Sequence, residues 1–300
     1  MRIFLGLARM ESLARAGESL RLDPATVGRR IARLEESLGQ RLFTRSHQGY
    51  ALTEDGARLL PHAIAAESAM MAASQAAAEP NSGLSGQIRI GAPDGCANFL
   101  LPQVVGRIGA DNPGLDVQII ALPRVFNLSR READMAIGVS APQTGRLSVQ
   151  KISDYHLHLA AARRYLGAQM PLLRLKGLRA HRIIGYIPDM IFDRELDYLA
   201  ELGLERVAFA SNSVAVQFQM IREGLGIGVV HDFALPAAEG LIRVLPDAFS
   251  LRRSFYLIRH QDDRRVARLN RFADLLVREL RRELQRLEEA VRAADLTPES

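Results

Sequence analysis

The sequence predicts a multi-domain chain: a small helical domain closed by a β-hairpin, one long helix, and a larger α/β domain. Three observations predict it. Short helical patterns and a hairpin fill residues 1–53, a single helical pattern runs from Glu54 to Glu79, and from Gln87 onward β runs alternate with helical ones. That alternation argues an α/β architecture with mainly parallel sheets. A length of 300 residues accommodates two domains, and 48% hydrophobic content is that of an ordinary globular chain.

Ile3, Phe4, Leu7 and Ala8 give a first helix its buried side, and Ala14 to Leu20 makes a second. Leu20-Arg21-Leu22 then turns into a third helix with a strong start. Asp23 is a good N-cap, and Pro24 sits at the first helical position, where its missing N–H costs nothing. At about 100° per residue, Val27, Ile31, Leu34 and Leu38 share one arc and Thr26, Arg29, Arg30 and Arg33 another. One face can be buried while the other meets phosphates and base edges. A solvated basic face is the plainer alternative. Arg41-Leu42-Phe43-Thr44-Arg45 and Tyr50-Ala51-Leu52-Thr53 read as hairpin strands around Ser46-His47-Gln48-Gly49. Three helices and a hairpin make a winged helix-turn-helix layout, with Arg45 of the wing near a backbone phosphate.

From Glu54 to Glu79, Leu59/Leu60, Ala63/Ile64, Glu67, Met70/Met71, Ser74 and Ala77/Ala78 recur at a spacing of about 3.5 residues. Thr53 can cap the start, and Glu54 and Asp55 suit the positive end of the helix dipole. The alanines allow close helix–helix approach, which is of use to a dimer. Pro61 predicts a bend or a later true start. Pro80-Asn81-Ser82-Gly83-Leu84-Ser85-Gly86 reads as a linker.

Beyond the linker, strands are expected at Ile88–Ala92, Val117–Leu122, Asp134–Val139, Ile183–Tyr186, Arg206–Ala210, Ile227–His231 and Phe255–Arg259. Helices are expected at Phe99–Ala110, Arg194–Leu202 and Ser213–Glu223. A last, charged helix from Asp263 to Ala294 lays a Leu269/Phe272/Leu276/Leu280 stripe on the sheet, and beyond Arg281 it reads as a solvated extension. The boundaries that follow are 1–56 for the winged domain, 57–86 for the linker helix and hinge, and 87–300 for the α/β domain with its C-terminal helix.

The net charge is +5, from 39 basic and 34 acidic residues, so placement of charge matters more than its total. The single cysteine, Cys96, excludes an intramolecular disulfide and suits a reducing cytosol. No apolar run approaches the about 18 residues of a membrane span. The apolar stretch Ile3 to Ala8 is short and lacks a following cleavage site, so no signal peptide and no membrane partner are expected. His156 and His158 share one face of a predicted strand without an acidic or cysteine partner nearby in sequence, so no metal site is expected. Gly224-x-Gly226-x-Gly228 leads into a strand instead of following one, unlike a dinucleotide fingerprint. Neither a catalytic constellation nor a cofactor is expected.

Several runs together resemble the LysR-type transcriptional regulators, across essentially the whole chain. They are Leu22 to Val27, Arg29-Arg30-Ile31-Ala32-Arg33-Leu34-Glu35, Leu38-Gly39-Gln40-Arg41-Leu42-Phe43-Thr44-Arg45 and Leu52-Thr53-Glu54-Asp55-Gly56. Gly86-Gln87-Ile88-Arg89-Ile90-Gly91 and Gly224-Leu225-Gly226-Ile227-Gly228-Val229-Val230 continue the likeness. The resemblance implies a winged helix-turn-helix on double-stranded operator DNA, a dimerising long helix, and two C-terminal α/β subdomains like those of periplasmic binding proteins. A small effector, an organic acid or an aromatic, would lie between the subdomains and shift a homodimer or homotetramer on DNA, changing access of RNA polymerase in the cytoplasm. The chain departs from the family pattern in places. It begins inside the usual first helix, Arg21 stands in place of a turn glycine, Gly17 in place of alanine, and Gly28 in place of a frequent serine. Arg21, if left-handed, and Gly17 each cost about 1 kcal/mol.

The expected DNA-binding residues are Thr26, Arg29, Arg30 and Arg33, with Pro24 and Ala25 at the helix tip and Arg45 on the wing. Arg29 or Arg30 would read guanine edges, while Arg33 and Arg45 hold phosphates. Pairing of Arg33 with Glu35 or Glu36 is the plainer alternative. For the effector, the loop Pro93, Asp94, Gly95, Cys96 and Ala97 follows the first strand of the α/β domain, and Ser211 and Asn212 open a later helix. Helix N-termini at strand ends are natural sites for anions. By family position, Ser140 and Ile187 also border the cleft. Ordinary helix capping by Asp94 and Ser211 is the simpler account of those two. A solute-binding module whose helical head contacts protein and not DNA stands as the alternative function.

Overall fold

The computed structural model describes residues 1–46, 49–76, 83–121, 133–142, 145–168, 172, 174–204 and 206–296. The chain divides into two compact units, Met1–Ser82 with Arg265–Ala267, and Gly83–Arg264 with Arg268–Ser300.

In the first unit, α1 (Arg2–Met10), α2 (Leu13–Leu20) and α3 (Pro24–Leu38) precede β1 (Phe43–Ser46) and β2 (Gly49–Leu52), and α4 (Glu54–Ala76) follows. Their apolar sides meet in one core that includes Phe4, Leu7, Val27, Ile31, Phe43 and Ile64. Asp23 caps α3, its Oδ1 accepting from the Ala25 N–H at 2.8 Å and the Thr26 N–H at 3.4 Å. Glu35 holds the wing: its Oε1 accepts from the Leu42 N–H at 2.7 Å and the Phe43 N–H at 3.0 Å. That sets the Phe43 ring 5.4 Å from Phe4. β1 and β2 pair from Phe43↔Leu52 to Ser46↔Gly49. His47 and Gln48 of the expected turn lie outside the described residues.

Thr53 caps α4 as expected, its Oγ1 accepting from the Gly56 N–H at 3.0 Å while donating to the Arg41 carbonyl at 2.6 Å. The helix does not start late; its span runs unbroken through Pro61. Pro61 and Ala57 are both exposed, so water can satisfy the Ala57 carbonyl that the proline leaves without an N–H. Half of the expected dimer stripe is used locally. Ala63 and Ile64 are sunk in the winged-domain core, while Met70 stands 73% exposed. Residues 77–79 of the expected helix lie outside the described residues.

The turn between α2 and α3 confirms one expected cost and removes another. Arg21 is left-handed, with φ 54. Gly17 is a requirement of the turn: a Cβ there would lie 2.6 Å from the Leu22 carbonyl oxygen. The Leu22 N–H donates to the Gly17 carbonyl at 2.9 Å, winding the chain back against the helix.

The second unit contains β3 (Gly86–Ala92), α5 (Asp94–Phe99), α6 (Leu101–Ala110), β4 (Leu115–Ala121), β5 (Met135–Gly138) and β6 (Leu147–Ala162). It continues with α7 (Arg163–Gly167), β7 (Ile183–Gly185), β8 (Phe209–Ala210), α8 (Val214–Arg222), β9 (Ile227–His231), β10 (Leu241–Arg243), β11 (Ser250–His260) and α9 (Ala267–Leu296). The strands form one sheet in the order β4-β3-β5-β11-β6-β9-β7-β8, with β10 beside β6. The sheet is mixed, which corrects the expectation of mainly parallel pairing. Parallel ladders stand toward its two ends, and the long strands β6 and β11 run antiparallel between them from Ser250↔His158 to His260↔Leu147.

Three expected helices change. Phe99–Ala110 is two helices, because Leu100 leaves helical geometry (φ -120) and Pro102 begins α6 afresh. Arg194–Leu202 is two single 3₁₀ turns, Arg194–Leu196 and Ala200–Leu202. Asp193 accepts from the Glu195 N–H and Asp197 from the Ala200 N–H, so each aspartate restarts the turn. The last helix is not solvated beyond Arg281. Leu284, Leu287 and Val291 are buried, Arg281 donates to the Ile152 carbonyl at 2.6 Å, and Glu288 accepts from the His156 N–H at 2.8 Å. Gly226 marks a close approach of β9 and β7, since a Cβ there would lie 2.3 Å from the Arg182 carbonyl oxygen.

Two opposite substitutions test the α2–α3 turn by chemical denaturation. Arg21→Gly is expected to stabilise the winged domain by about 1 kcal/mol, relieving the left-handed residue. Gly17→Ala is expected to destabilise by on the order of 1–3 kcal/mol, against helix propensity, because the Leu22 carbonyl must move.

Candidate nucleic-acid interface and effector cleft

α3 has two faces. Val27 and Ile31 are buried, while Pro24, Ala25, Arg29, Arg30 and Arg33 are exposed and Thr26 is half-buried. Arg29 donates to Thr26 Oγ1 at 3.2 Å, one turn back along the helix. Glu35 does not take Arg33, since its carboxylate is engaged by the wing backbone. Among the described residues, Arg30 and Arg33 meet no acid. Arg45 is exposed on β1 of the same unit. The sequence pattern did not show Glu35 as the wing's anchor, because its partners lie in the backbone of the next element.

In the second unit, four loops leave the C-terminal ends of parallel strands: 93 after β3, 139–140 after β5, 186–187 after β7 and 211–212 after β8. They converge on one small cavity, where an open α/β sheet binds ligands. Pro93, Asp94, Gly95, Cys96 and Asn212 line it, together with Val139, Tyr186, Phe192, Leu196, Tyr198, Val214, His231 and Phe255. Ala97 is buried one residue further along α5. Ser140, Ile187 and Ser211 border these loops without lining the cavity. The cavity measures about 20 Å³, room for about one water. An apolar chamber of about 270 Å³ lies beside it and shares Tyr186, Leu196 and Tyr198 as a wall.

Contacts cross between the loops. Asp94 Oδ2 accepts from Ser213 Oγ at 2.8 Å and from the Ala215 N–H at 2.9 Å. Ser140 Oγ donates to Asp193 Oδ2 at 2.5 Å. Capping is thus differently assigned than the simpler account expects. Asp94 serves α8 across the cleft, and Ser213, not Ser211, is the α8 N-cap, accepting from the Val216 N–H at 3.3 Å. Ser211 Oγ accepts from the Ser213 N–H at 3.1 Å.

The floor is aromatic. Tyr155 stacks on Phe255 at 4.2 Å, and His231 lies 4.8 Å from Phe233 and 5.9 Å from Tyr198, centroid to centroid. Burial pushes the His231 imidazole down to about 3, so it is neutral. Its Nδ1 has no hydrogen-bond partner among the described residues, and neither has the Tyr155 hydroxyl. Burial pushes the Cys96 thiol well above its ordinary value, which leaves it protonated and weakly nucleophilic. The two strand histidines have separate acid partners brought from afar: His156 Nδ1 lies 3.0 Å from Glu288, and His158 Nδ1 lies 2.7 Å from Asp232.

A helix-turn-helix with a basic outer face, joined in one chain to an α/β unit whose strand ends converge on a cleft, defines a DNA-binding regulator with an effector domain. The bacterial regulatory helix-turn-helix model of the lysR family matches residues 1–57, and the LysR substrate binding domain model matches residues 81–281. The chain belongs to the LysR family of transcriptional regulators. It is 29% identical to the transcriptional regulator DgdR of Burkholderia cepacia over 250 residues, 79% of this chain and 78% of that one. Its fold is similar to that of CrgA, a LysR-type regulator from Neisseria meningitidis, with TM-score 0.57, 23% identity and coverage of 93% and 97%. It is likewise similar to full-length OxyR from Pseudomonas aeruginosa, with TM-score 0.69, 17% identity and 93% of each chain covered. No helix among the described residues is long and apolar enough to cross a membrane.

Neutral His231 has a pH signature. Its folded value lies below the unfolded one near 6.5, so the unfolded chain takes up a proton first as pH falls. Its contribution is complete above about 6.5 and is lost progressively toward about 3. His231→Gln is expected to lower the slope of stability against pH in that window by up to about 1.4 kcal/mol per pH unit. Denaturant melts at stepped pH measure it, and an unchanged slope would refute the assignment.

Proposed function

We propose that this regulator reads operator DNA with the outer face of α3. Thr26, Arg29 and Arg30 address base edges, Pro24 and Ala25 sit at the helix tip in the groove, and Arg33 and Arg45 hold phosphates. The observation that carries this reading is the arrangement of α3 itself. Its inner side is locked in the core, and Arg30 and Arg33 on its outer side meet no acid among the described residues.

In the same reading, residues 1–56 are the DNA-binding domain, 57–86 the dimerisation helix and hinge, and 87–300 the effector domain. Exposed Met70 on α4 supports the middle assignment. The effector cleft is the cavity ringed by the 93–97, 139–140, 186–187 and 211–212 loops. Binding there shifts a homodimer or homotetramer between arrangements on DNA and so changes access of RNA polymerase, through differential affinity for two states. The protein acts in the cytoplasm and carries out no catalysis of its own.

Gel shift with the promoter region beside its own gene tests the DNA assignment. The wild type should shift it in a salt-sensitive manner. Arg29→Ala/Arg30→Ala should lose at least about tenfold in affinity, the cost of about one guanine contact. Arg33→Ala should flatten the salt dependence by about one unit of slope. Binding by the double variant equal to wild type would overturn the reading.

A further inference from the structure

The position in this cleft that would attract an anion is already filled by the chain's own carboxylate. α8 is nine residues long and opens onto the cleft, and a helix N-terminus of this kind favours negative charge. The groups it offers, the Ser213 hydroxyl and the Ala215 N–H, both donate to Asp94 Oδ2, at 2.8 and 2.9 Å. Asp94 Oδ1 accepts from Asn98 Nδ2 at 3.1 Å, so both oxygens of the carboxylate are engaged.

The ring packed against Gly95, next to Asp94, supplies an independent observation. His231 is 4% exposed and lines the same cavity, and its Nδ1 has no partner among the described residues. Its other nitrogen, Nε2, lies 3.4 Å from the Tyr198 hydroxyl. Tyr186, Phe192 and Phe255 complete an aromatic enclosure, and no lysine or arginine is among the described lining residues. A carboxylate ligand entering here would meet the Asp94 charge at close range with no lysine or arginine among the described lining residues to pair with it, and desolvation would add to that cost. An uncharged ligand avoids the repulsion and the larger desolvation cost of an ion, and a polar group on it can satisfy the His231 nitrogen.

We propose that Asp94 is the internal occupant of the cleft's anion position, and that the effector is an uncharged, hydrogen-bonding molecule anchored on His231 Nδ1, not a carboxylate. This rests on the cleft being the effector site and is independent of DNA binding.

The test uses the full-length protein without DNA, read by thermal shift and calorimetry. Asp94→Ala empties the anion position and should lower the Tm by on the order of 2–4 °C. Formate or acetate should restore it saturably, while chloride at equal ionic strength should not. Neither anion should move the wild type. Ser213→Ala, which loses a donor but keeps the carboxylate, should be lowered without rescue. Asp94→Asn keeps an acceptor for the Ala215 N–H and guards against misfolding of the alanine variant; it should bind benzoate at least about tenfold more tightly than wild type. Saturable binding of acetate or benzoate by wild type overturns the proposal. So does a folded Asp94→Ala protein without carboxylate-specific recovery, or equal benzoate affinity of Asp94→Asn and wild type. A gel-shift failure leaves each of these results intact, so the two readings fail separately.

Discussion

The α/β unit depends on the antiparallel pairing of β6 with β11. One parallel ladder, β4-β3-β5, attaches through β5 to β11, and the other, β9-β7-β8, attaches through β9 to β6. Without the central pair the two ladders would have no shared backbone hydrogen bonds, and their loops would have no reason to meet. Helix α9 braces β6: Arg281 donates to its Ile152 and Lys151 carbonyls, and Glu288 accepts from its His156 N–H. Arg107 on α6 joins Glu279 and buried Glu283 of the same helix. The guanidinium of Arg286, and after it that of Arg107, holds the Glu283 carboxyl below its ordinary value despite burial, so this attachment is weakened by acid and not by base.

The winged domain solves a different problem, which is to expose arginines on a helix whose position must not vary. α3 is fixed at its start by the Asp23 cap, along its length by Val27 and Ile31, and near its end by Glu35. Glu35 does the work of a surface ion-pair partner in reverse. By bonding two wing N–H groups it is withdrawn from Arg33, and the basic face keeps its charge. The same bond ties the wing to the recognition helix, so both parts of the proposed interface move as one piece.

Much of this was legible because its causes are local. The Asp23–Pro24 start, the Thr53 cap, the buried arc of α3 and the Ile227–His231 strand each follow from residues within a turn or two of one another. What the sequence hid is long-range. Gly17 reads as a weak helix residue until the Leu22 carbonyl lies against it. The far end of α9 reads as solvated because Glu283 and Glu288 are charged, yet their partners come from α6 and β6. β6 runs for 16 residues, but Lys151, Ser153 and Asp154 interrupt its apolar alternation. In the cleft, the loops were visible from their place after strands, whereas Tyr198 and His231 carried no sequence signal. The former sits in an irregular segment, and the latter is one of seven histidines.

The cleft is held by a balance of small terms. Two loop-to-loop contacts, Asp94 with Ser213 and Ala215, and Ser140 with Asp193, favour the arrangement seen. Against them stand the His231 Nδ1 and the Tyr155 hydroxyl, buried without partners among the described residues, each a cost of about 1–3 kcal/mol. A net hydrogen bond is worth about 1 kcal/mol, so neither side dominates. A ligand needs only to prefer one arrangement by a few kcal/mol to move the population. The cavity holds about one water, and the side-chain contacts that run from loop to loop around it are those made by Asp94 and Ser140.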